Sequence, residues 1–299
     1  MTAPLDPAIA EIIPKLPLRD PPTMTPKSAR DSLRALADAR AAIPPPPVAS
    51  VADIKVKGAA GSLDARVYRN GQGKSPTVVF FHGGGWVAGD LETHDRQARL
   101  LVIETGAVVI SVDYRRPPET RFPGAFEDYF AAMRDVIARI GEFGGDLARV
   151  GVAGDSAGGN LAATVALACR DAGIKLAGQM LVYPVTDVVG NFADTKENAR
   201  FPSRQDNAEG YFLSRAVMEW FTGHYLADMT HGTDWRASPL RAKGKAYADA
   251  LKAAGVPTTY HDGLGLIHGY FGLGDAAAAA KSEAQHVRAD FKALLDRGA

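Results

Sequence analysis

The sequence has little of what marks a secreted or nucleic-acid-binding protein. Its 299 residues include a single cysteine, Cys169, so an intrachain disulfide is impossible and a reducing compartment fits. The 34 basic and 34 acidic residues cancel, and no stripe of Lys and Arg stands out that could attract phosphates. We therefore expect no nucleic-acid partner.

The first residues of the chain also lack an uninterrupted apolar run. Prolines and charges break every apolar stretch in MTAPLDPAIAEIIPKLP, so neither a signal peptide nor a membrane-spanning helix is expected there. No two histidines are spaced as metal ligands on a helix with an acid beside them. We expect a cytoplasmic protein that has no metal and no cofactor and does not bind a membrane.

What the sequence does contain is a regular alternation of strand and helix patterns. Two runs of alternating polarity, 52–57 and 63–69, flank a Gly-Ala-Ala-Gly turn and predict a hairpin at the edge of a sheet. Four continuous apolar runs then predict strands buried on both faces, at 77–81, 107–112, 149–153 and 179–183. Helical patterns lie between them, at 94–105, 125–140 and 160–172. This order predicts an α/β fold with a mostly parallel sheet and right-handed crossovers.

The rest of the chain is predicted to be mainly helical. After a polar, irregular stretch from Asp187 to about Gly210, an amphipathic helix is expected at 214–226. Further helices are expected at 245–254 and 275–296, with a short strand at Thr258–His261 between them.

The strongest chemical signal is the run Gly154-Asp155-Ser156-Ala157-Gly158, a G-x-S-x-G that follows a predicted strand and opens a predicted helix. A serine in such a tight turn projects its hydroxyl from the carboxyl edge of the sheet, and small neighbours let the turn close. The helix N-terminus behind it favours developing negative charge. The pattern indicates a nucleophile, Ser156, against the simpler interpretation of a glycine-rich turn with an incidental serine.

A second signal is the run His82-Gly83-Gly84-Gly85-Trp86, directly after the strand predicted at 77–81. Backbone amides that carry no side chains can converge there on an oxyanion. Phosphate binding is the alternative, but the run lacks the lysine and the spacing of a P-loop, and no G-x-G-x-x-G follows the first parallel strand. Together with the serine turn, the run becomes specific for acyl chemistry.

Five motifs, taken in order, resemble the hormone-sensitive-lipase family of bacterial esterases. They are HGGGW at 82–86, DYRRPPE at 113–119, GDSAGGN at 154–160, YPVTD at 183–187 and GLIHGY at 265–270. The resemblance covers nearly the whole chain and implies an α/β-hydrolase fold with a helical cap. It also implies roles for individual residues: Ser156 as nucleophile, His268 as base, the amides of Gly83, Gly84 and Ala157 as oxyanion hole, and His82 as support for its loop.

The same resemblance implies four segments. Residues 1–47, which end in a run of four prolines, and residues 188–228 would form the cap that shapes the acyl and alcohol pockets. Residues 48–187 would form the hydrolase core, and residues 229–299 its C-terminal part, shortened relative to the family.

Among the seven histidines, His268 is also favoured as the base by its own position. It lies in a glycine-rich loop late in the chain, as the order nucleophile, acid, histidine requires. His261 lies in a predicted strand. His94, His224 and His286 lie in helical patterns, where we expect a solvated or capping role.

The sequence departs from the family pattern at the acid of the triad. In relatives, the segment after the ASPL motif, here Ala237–Leu240, continues through a buried strand into a loop that carries the catalytic aspartate. Here Arg241-Ala242-Lys243 leads directly into a predicted helix, so one late strand and the usual acid are predicted to be missing. Losing the orienting carboxylate can cost about four orders of magnitude in turnover unless another group substitutes.

The first candidate for a relocated acid is Asp187, because it directly follows a buried strand at the carboxyl edge of the sheet. Against this, the family's YPVTD motif includes an aspartate in members that keep the usual acid. Asp262 precedes His268 so closely that the chain would need a sharp reversal. Asp155 is expected to anchor neighbouring loops.

A missing strand has a second consequence, for Thr258–His261. A strand at this position loses its expected neighbour and must pair elsewhere, and a rearranged or exchanged homodimer is one arrangement that allows it.

The leading functional prediction is a serine carboxylesterase that acts on small, short-chain acyl esters through an acyl-enzyme. Two alternatives stay open. One is a catalytically impaired ligand-binding protein with an α/β-hydrolase fold, because the usual acid is absent. The other is an amide or lactone hydrolase, because the same machinery serves these bonds and pocket shape decides the leaving group.

Overall fold

A six-stranded sheet lies at the centre of the computed structural model, which describes residues 4–17, 20–192, 195–199, 201–240 and 244–298. The strands are β1 (Ser50–Gly58), β2 (Gly61–Arg69), β3 (Ser75–Phe81), β4 (Val108–Val112), β5 (Gly145–Asp155) and β6 (Gly178–Val182). They lie side by side in the order β1-β2-β4-β3-β5-β6.

The strand directions agree with the sequence prediction. Strands β3 to β6 run parallel, whereas β1 and β2 form an antiparallel hairpin that turns between Gly58 and Gly61. The hairpin joins the sheet through antiparallel pairing of β2 with β4, where Ala65 lies opposite Val112. The predicted α/β fold, with a mostly parallel sheet and a hairpin at its edge, is confirmed.

Helices cover both faces of the sheet. They are α1 (Pro7–Ile12), α2 (Pro26–Asp38), α3 (Asp95–Thr105), α4 (Gly124–Ala138), α5 (Ala157–Asp171), α6 (Thr195–Ala199), α7 (Pro202–Asp206), α8 (Arg215–Tyr225), α9 (Gly244–Ala253) and α10 (Ala278–Arg297). Helices α4 and α5 share one core with Phe81, and helices α3 and α10 share the other with Phe80. Neighbouring residues of β3 enter opposite cores because successive side chains of a strand point to opposite faces.

Helices α2 and α8 lie over the loop that follows β3. Both contribute to one apolar cluster with that loop, formed by Ala29, Val87, Ala88, Val217 and Phe221. Helix α2 begins with Pro26 after a capping box, in which the side chain of Thr25 accepts a hydrogen bond from the amide of Ser28. Arg30 ties this helix to the core, since its Nε donates to the carbonyl of Val87 at 2.9 Å and its Nη2 pairs with Glu119 at 2.7 Å.

The strand predicted at Thr258–His261 does not form, and this prediction is wrong. Residues 256–263 are irregular, and Nε2 of His261 lies 2.9 Å from Oδ2 of Asp290 on α10. Contacts with a helix, rather than with a strand, hold this segment. Within the described residues no strand follows β6. The deletion predicted after Leu240 was inferred from residues 241–243, and these lie outside the described residues.

Cys169 lies in α5 and is buried. Burial raises the pKa of this thiol to about 12, because the low-polarity surroundings disfavour the thiolate. Among the helices that the structure describes, none has both the length and the apolar character needed to cross a bilayer.

Candidate active site

Ser156 occupies the turn between the end of β5 and the start of α5. Its backbone has φ 55° and ψ −119°, a conformation that residues with a side chain rarely adopt. The amide of Ser156 donates to the carbonyl of Val182 at 2.9 Å, which anchors the turn on β6. Gly158 is required here, since a Cβ at this position would lie 1.9 Å from the carbonyl oxygen of Phe81. The predicted strand–turn–helix context of the serine is therefore present.

The structure brings His268 to this serine. Nε2 of His268 lies 2.8 Å from Oγ of Ser156, within hydrogen-bond distance. The histidine lies in the irregular segment between α9 and α10, and its ring contacts the ring of Tyr183 with centroids 4.5 Å apart. The two residues predicted to carry the chemistry thus form the contact that a nucleophile and its base need.

The amide of Gly83 is committed to another group. It donates to Oδ1 of Asp155 at 3.0 Å, and both residues are buried or nearly so. A backbone amide has one proton, so this amide cannot also stabilise an oxyanion. The prediction of Gly83 as an oxyanion-hole donor is therefore wrong, because the residue before the nucleophile already occupies it.

The next two glycines are the ones that line the cavity beside Ser156. Gly84 and Gly85 have φ of 117° and 61°, respectively, in the left-handed region that glycine adopts without strain. In the described part of the chain, neither their amides nor the amide of Ala157 donates to a protein acceptor. Ala157 is the first residue of α5, where a helix leaves its N–H groups unpaired. These three amides are free to stabilise negative charge.

Asp155 has a partner that sequence reasoning missed. Nε2 of His94 lies 3.4 Å from Oδ1 of Asp155, and both side chains are largely buried. Burial alone would raise the pKa of Asp155, but His94, the Gly83 amide and His82 together hold it below its usual range. His94 directly precedes α3 yet makes no side-chain cap, so the expected solvated or capping role is wrong. Helical spacing could not reveal this contact, because it joins His94, just before α3, to Asp155 at the end of β5, and only tertiary packing brings the two together.

His82 lies fully buried beneath the same loop. Its Nδ1 lies 2.9 Å from the carbonyl oxygen of Gly83, and its Nε2 lies 3.5 Å from Oδ1 of Asp113. Burial lowers the pKa of His82, although Asp113 opposes this change. A neutral ring that carries its proton on Nδ1 would donate to Gly83 and hold the glycine loop in place.

Asp187, the candidate acid, is almost fully buried, and one of its carboxylate oxygens binds the backbone of its own loop. Its Oδ1 accepts a hydrogen bond from the amide of Val189 at 2.8 Å. Asp187 and His268 line the same cavity, which brings the two side chains into one space. Asp262, by contrast, is exposed and lines neither cavity described below.

Two cavities meet at His268. The smaller has a volume of about 110 Å³ and contains Ser156, Gly84 and Gly85 in its lining. The larger has a volume of about 370 Å³ and extends past Asp187. The residues that line both are Tyr183, Leu213, Met218 and His268. An ester centred on Ser156 therefore has a narrow space on one side and a wider one on the other.

The comparisons with known proteins agree with this geometry. Residues 78–245 match the family described as alpha/beta hydrolase fold. Esterase LipI of Mycobacterium tuberculosis (strain ATCC 25618 / H37Rv) is 34% identical, and the match covers 92% of this chain and 91% of that protein. The arylesterase of Saccharolobus solfataricus is 33% identical over 77% of this chain and 80% of its own length. Among solved structures, the hyperthermophilic esterase from the archaeon Pyrobaculum calidifontis superposes with a TM-score of 0.87 at 32% identity, covering 97% of this chain and 99% of that chain.

Proposed function

The chain belongs to the hormone-sensitive-lipase family of α/β-hydrolases, and on that premise we propose that it hydrolyses carboxylic esters through an acyl-enzyme on Ser156. The observation that carries the proposal is the 2.8 Å contact between Oγ of Ser156 and Nε2 of His268 in a strained strand-to-helix turn. A hydroxyl in this setting becomes nucleophilic because the imidazole can accept its proton.

The reaction follows from the positions of these groups. His268 accepts the proton of Ser156 as Oγ attacks the ester carbonyl, and the oxyanion that forms faces the amides of Gly84, Gly85 and Ala157. The bond to the alcohol oxygen then breaks, and His268 returns the proton to the leaving alcohol. Water then attacks the carbonyl carbon of the acyl-enzyme while His268 accepts its proton, the bond to Oγ breaks, and His268 returns the proton to Ser156.

Cavity size supports short acyl chains. A cavity of about 150 Å³ holds a benzene molecule, and the smaller cavity here has only about 110 Å³. An acyl chain of a few carbons fits this space, while the cavity of about 370 Å³ can take the alcohol part.

We propose Asp187 as the group that orients His268. Of the carboxylates that line the two cavities, Asp155 is engaged by the Gly83 amide and by His94, whereas Asp187 shares the larger cavity with His268. Its hydrogen bond from Val189 uses one oxygen. The second oxygen is the one through which Asp187 would act.

The cap assignment also belongs to this proposal. Residues 1–47 and 188–228 include α2 and α8, which together cover the glycine loop and contribute Leu33, Leu36 and Met218 to the lining of the smaller cavity. Such a cover excludes water from the site and limits the size of the substrate.

A homodimer and a cytoplasmic location stay predictions, but the strand at Thr258–His261 from which the homodimer was predicted does not form. In the described residues the outer edge of β6 pairs with no strand, and an open edge is where two copies of a chain can join. Light scattering after size-exclusion chromatography distinguishes the 31.6 kDa monomer from a particle of twice that mass.

The test of the proposed function is hydrolysis of p-nitrophenyl acetate and p-nitrophenyl butyrate by the purified chain. We expect turnover that Ser156→Ala abolishes, with a burst of p-nitrophenol when deacylation is slow. Ser62→Ala serves as the matched control, because Ser62 is exposed on β2 and lines neither cavity. No turnover that depends on Ser156 would overturn the proposal and favour a ligand-binding role.

A further inference from the structure

The smaller cavity carries two polar side chains that the ester chemistry leaves unused. Arg40, just after α2, and Gln97, in α3, line the same space as Ser156. Apolar side chains such as Leu33, Leu36 and Phe221 form much of the remaining wall. A purely hydrocarbon acyl chain would have no use for a guanidinium group at this place.

The charge of Arg40 is compensated only in part inside the protein. No carboxylate among the described residues forms an ion pair with its guanidinium. Asp275 exerts an attraction on it but is paired with Nε of Arg96 at 2.7 Å. Burial lowers the pKa of Arg40, and the attraction of Asp275 offsets this only in part. A partly buried cation without a counter-ion is costly, so an anion in the cavity would be strongly favoured.

Gln97 has spare hydrogen-bonding capacity as well. Its side chain is almost fully buried, and in the described structure neither Oε1 nor Nε2 forms a hydrogen bond, so the N–H groups of Nε2 remain as donors for a carboxylate. Buried amide groups normally have partners, since leaving one unpaired costs free energy. An amide that the protein does not bind is available to a ligand.

Arg40 and Gln97 face the same point. Measured from the position that a Cβ would take on Gly272, Nη1 of Arg40 lies at 3.5 Å and Nε2 of Gln97 at 3.2 Å. Gly272 has no side chain to fill this point, and it also lines the cavity. One small group with two acceptor oxygens can therefore reach both donors.

We propose that Arg40 and Gln97 bind a carboxylate on the acyl part of the substrate, so that the enzyme prefers half-esters of short dicarboxylic acids. The inference rests on the proposed function, because it names the substrate class of that same site. A guanidinium matches a carboxylate through two parallel hydrogen bonds, which is the geometry that arginine favours. The cavity volume of about 110 Å³ restricts the acid to a short one.

The reaction remains an ester hydrolysis. Ser156 displaces the alcohol from the esterified carboxyl carbon, and His268 supplies the proton that the alcohol takes away. Water then attacks the acyl-enzyme, the bond to Oγ breaks, and the product is the free dicarboxylate. The distal carboxylate changes neither bond nor charge and acts only as a recognition element.

The test compares monoethyl succinate with ethyl 4-methylpentanoate, in which an isopropyl group replaces the carboxylate. The wild type is expected to have the higher kcat/KM for the half-ester. Arg40→Met should lower the ratio of the two kcat/KM values about 10- to 100-fold, the range typical of a charge-assisted hydrogen bond. Arg40→Lys should keep part of the preference that Arg40→Met loses, because lysine has the positive charge but not the two parallel N–H donors of a guanidinium.

Two further variants sharpen the comparison. Gln97→Glu should also remove the preference, because the new carboxylate would pair with Arg40 and repel the substrate. Arg134→Met is the matched control and should leave the ratio unchanged, since Arg134 is exposed on α4 and lines neither cavity. Equal kcat/KM values for both esters in the wild type, or an equal loss for both in Arg40→Met, would overturn the inference while leaving the esterase proposal intact.

A binding measurement separates the two proposals when no turnover is found. Calorimetric titration of Ser156→Ala with monoethyl succinate reports recognition without chemistry. Binding that disappears in the double variant with Arg40→Met supports the carboxylate site even though the esterase proposal has failed. No binding to Ser156→Ala, or binding that does not depend on Arg40, would overturn the inference.

Discussion

Nε2 of His268 lies 2.8 Å from Oγ of Ser156, although 112 positions separate them in the chain. The serine is held by the junction of β5 and α5, and the histidine by the irregular segment that precedes α10. Helix α10 packs on both β5 and β6, so the same core that closes one face of the sheet also sets this distance. The catalytic contact is therefore a consequence of tertiary packing.

Replacing His268 by glutamine should remove the base and leave the fold intact. We expect kcat for p-nitrophenyl butyrate to fall by about four orders of magnitude or more, because an unassisted serine hydroxyl is a poor nucleophile. His286→Gln is the matched control, since His286 is exposed on α10. Steady-state kinetics measure the loss, and retained turnover in His268→Gln would contradict the assignment.

Asp187→Asn removes the charge of the candidate acid and keeps an oxygen that can accept from the amide of Val189. If Asp187 orients His268, kcat should fall by up to about 10⁴-fold while the unfolding temperature changes little. Asp262→Asn is the control, because Asp262 is exposed and lines neither cavity. An unchanged kcat with a lower unfolding temperature would mean that Asp187 only supports its loop.

Gly158→Ala should destroy the serine turn. The added methyl group would lie 1.9 Å from the backbone oxygen of Phe81, a distance that neither backbone can relieve without moving. We expect little folded, active protein, measured by circular dichroism and esterase assay. Gly71→Ala should be tolerated, because a Cβ at Gly71 meets nothing within 4 Å. Full activity in Gly158→Ala would show that the backbone of the turn can move away from Phe81 without loss of function.

The contact of α2 with the core should weaken in acid. The hydrogen bond from Arg30 lowers the pKa of Glu119 from 4.5 to about 2. A carboxylate whose pKa is depressed by folding stabilises the protein above its unfolded pKa, and this stabilisation is lost as the pH falls from about 4.5 towards 2. The Glu119 side chain is 63% exposed, so the pair contributes at most about 1 kcal/mol.

Glu119→Gln should therefore lower the free energy of unfolding by about 0.5 to 1 kcal/mol at pH 7 and by less at pH 3. Urea unfolding at both pH values measures the difference. Glu209→Gln is the control, since Glu209 is exposed and forms no ion pair in the described structure. A difference that grows towards low pH would contradict the role given to the Arg30 contact.

Much of the fold could be read from the sequence because it depends on neighbouring residues. The continuous apolar runs of β3 to β6 correspond to strands buried on both faces, and the hairpin of β1 and β2 follows from alternation around Gly58 and Gly61. The serine turn is likewise local, since the residues that make it possible are adjacent in the chain. The strand predicted at Thr258–His261 does not form, because in the described structure this segment of strand-like composition has no neighbouring strand to pair with.

By itself, the sequence determined the order of strands and helices, the turn that carries Ser156 and the family to which the chain belongs. Only the tertiary structure decided which groups share the site. Asp155 occupies the Gly83 amide, His94 turns towards Asp155, and Arg40 meets Gln97 beside Gly272, although these residues are far apart in sequence. Hydrogen bonds and charges act over a few ångströms of space, and distances along the chain carry no record of which segments packing will bring together.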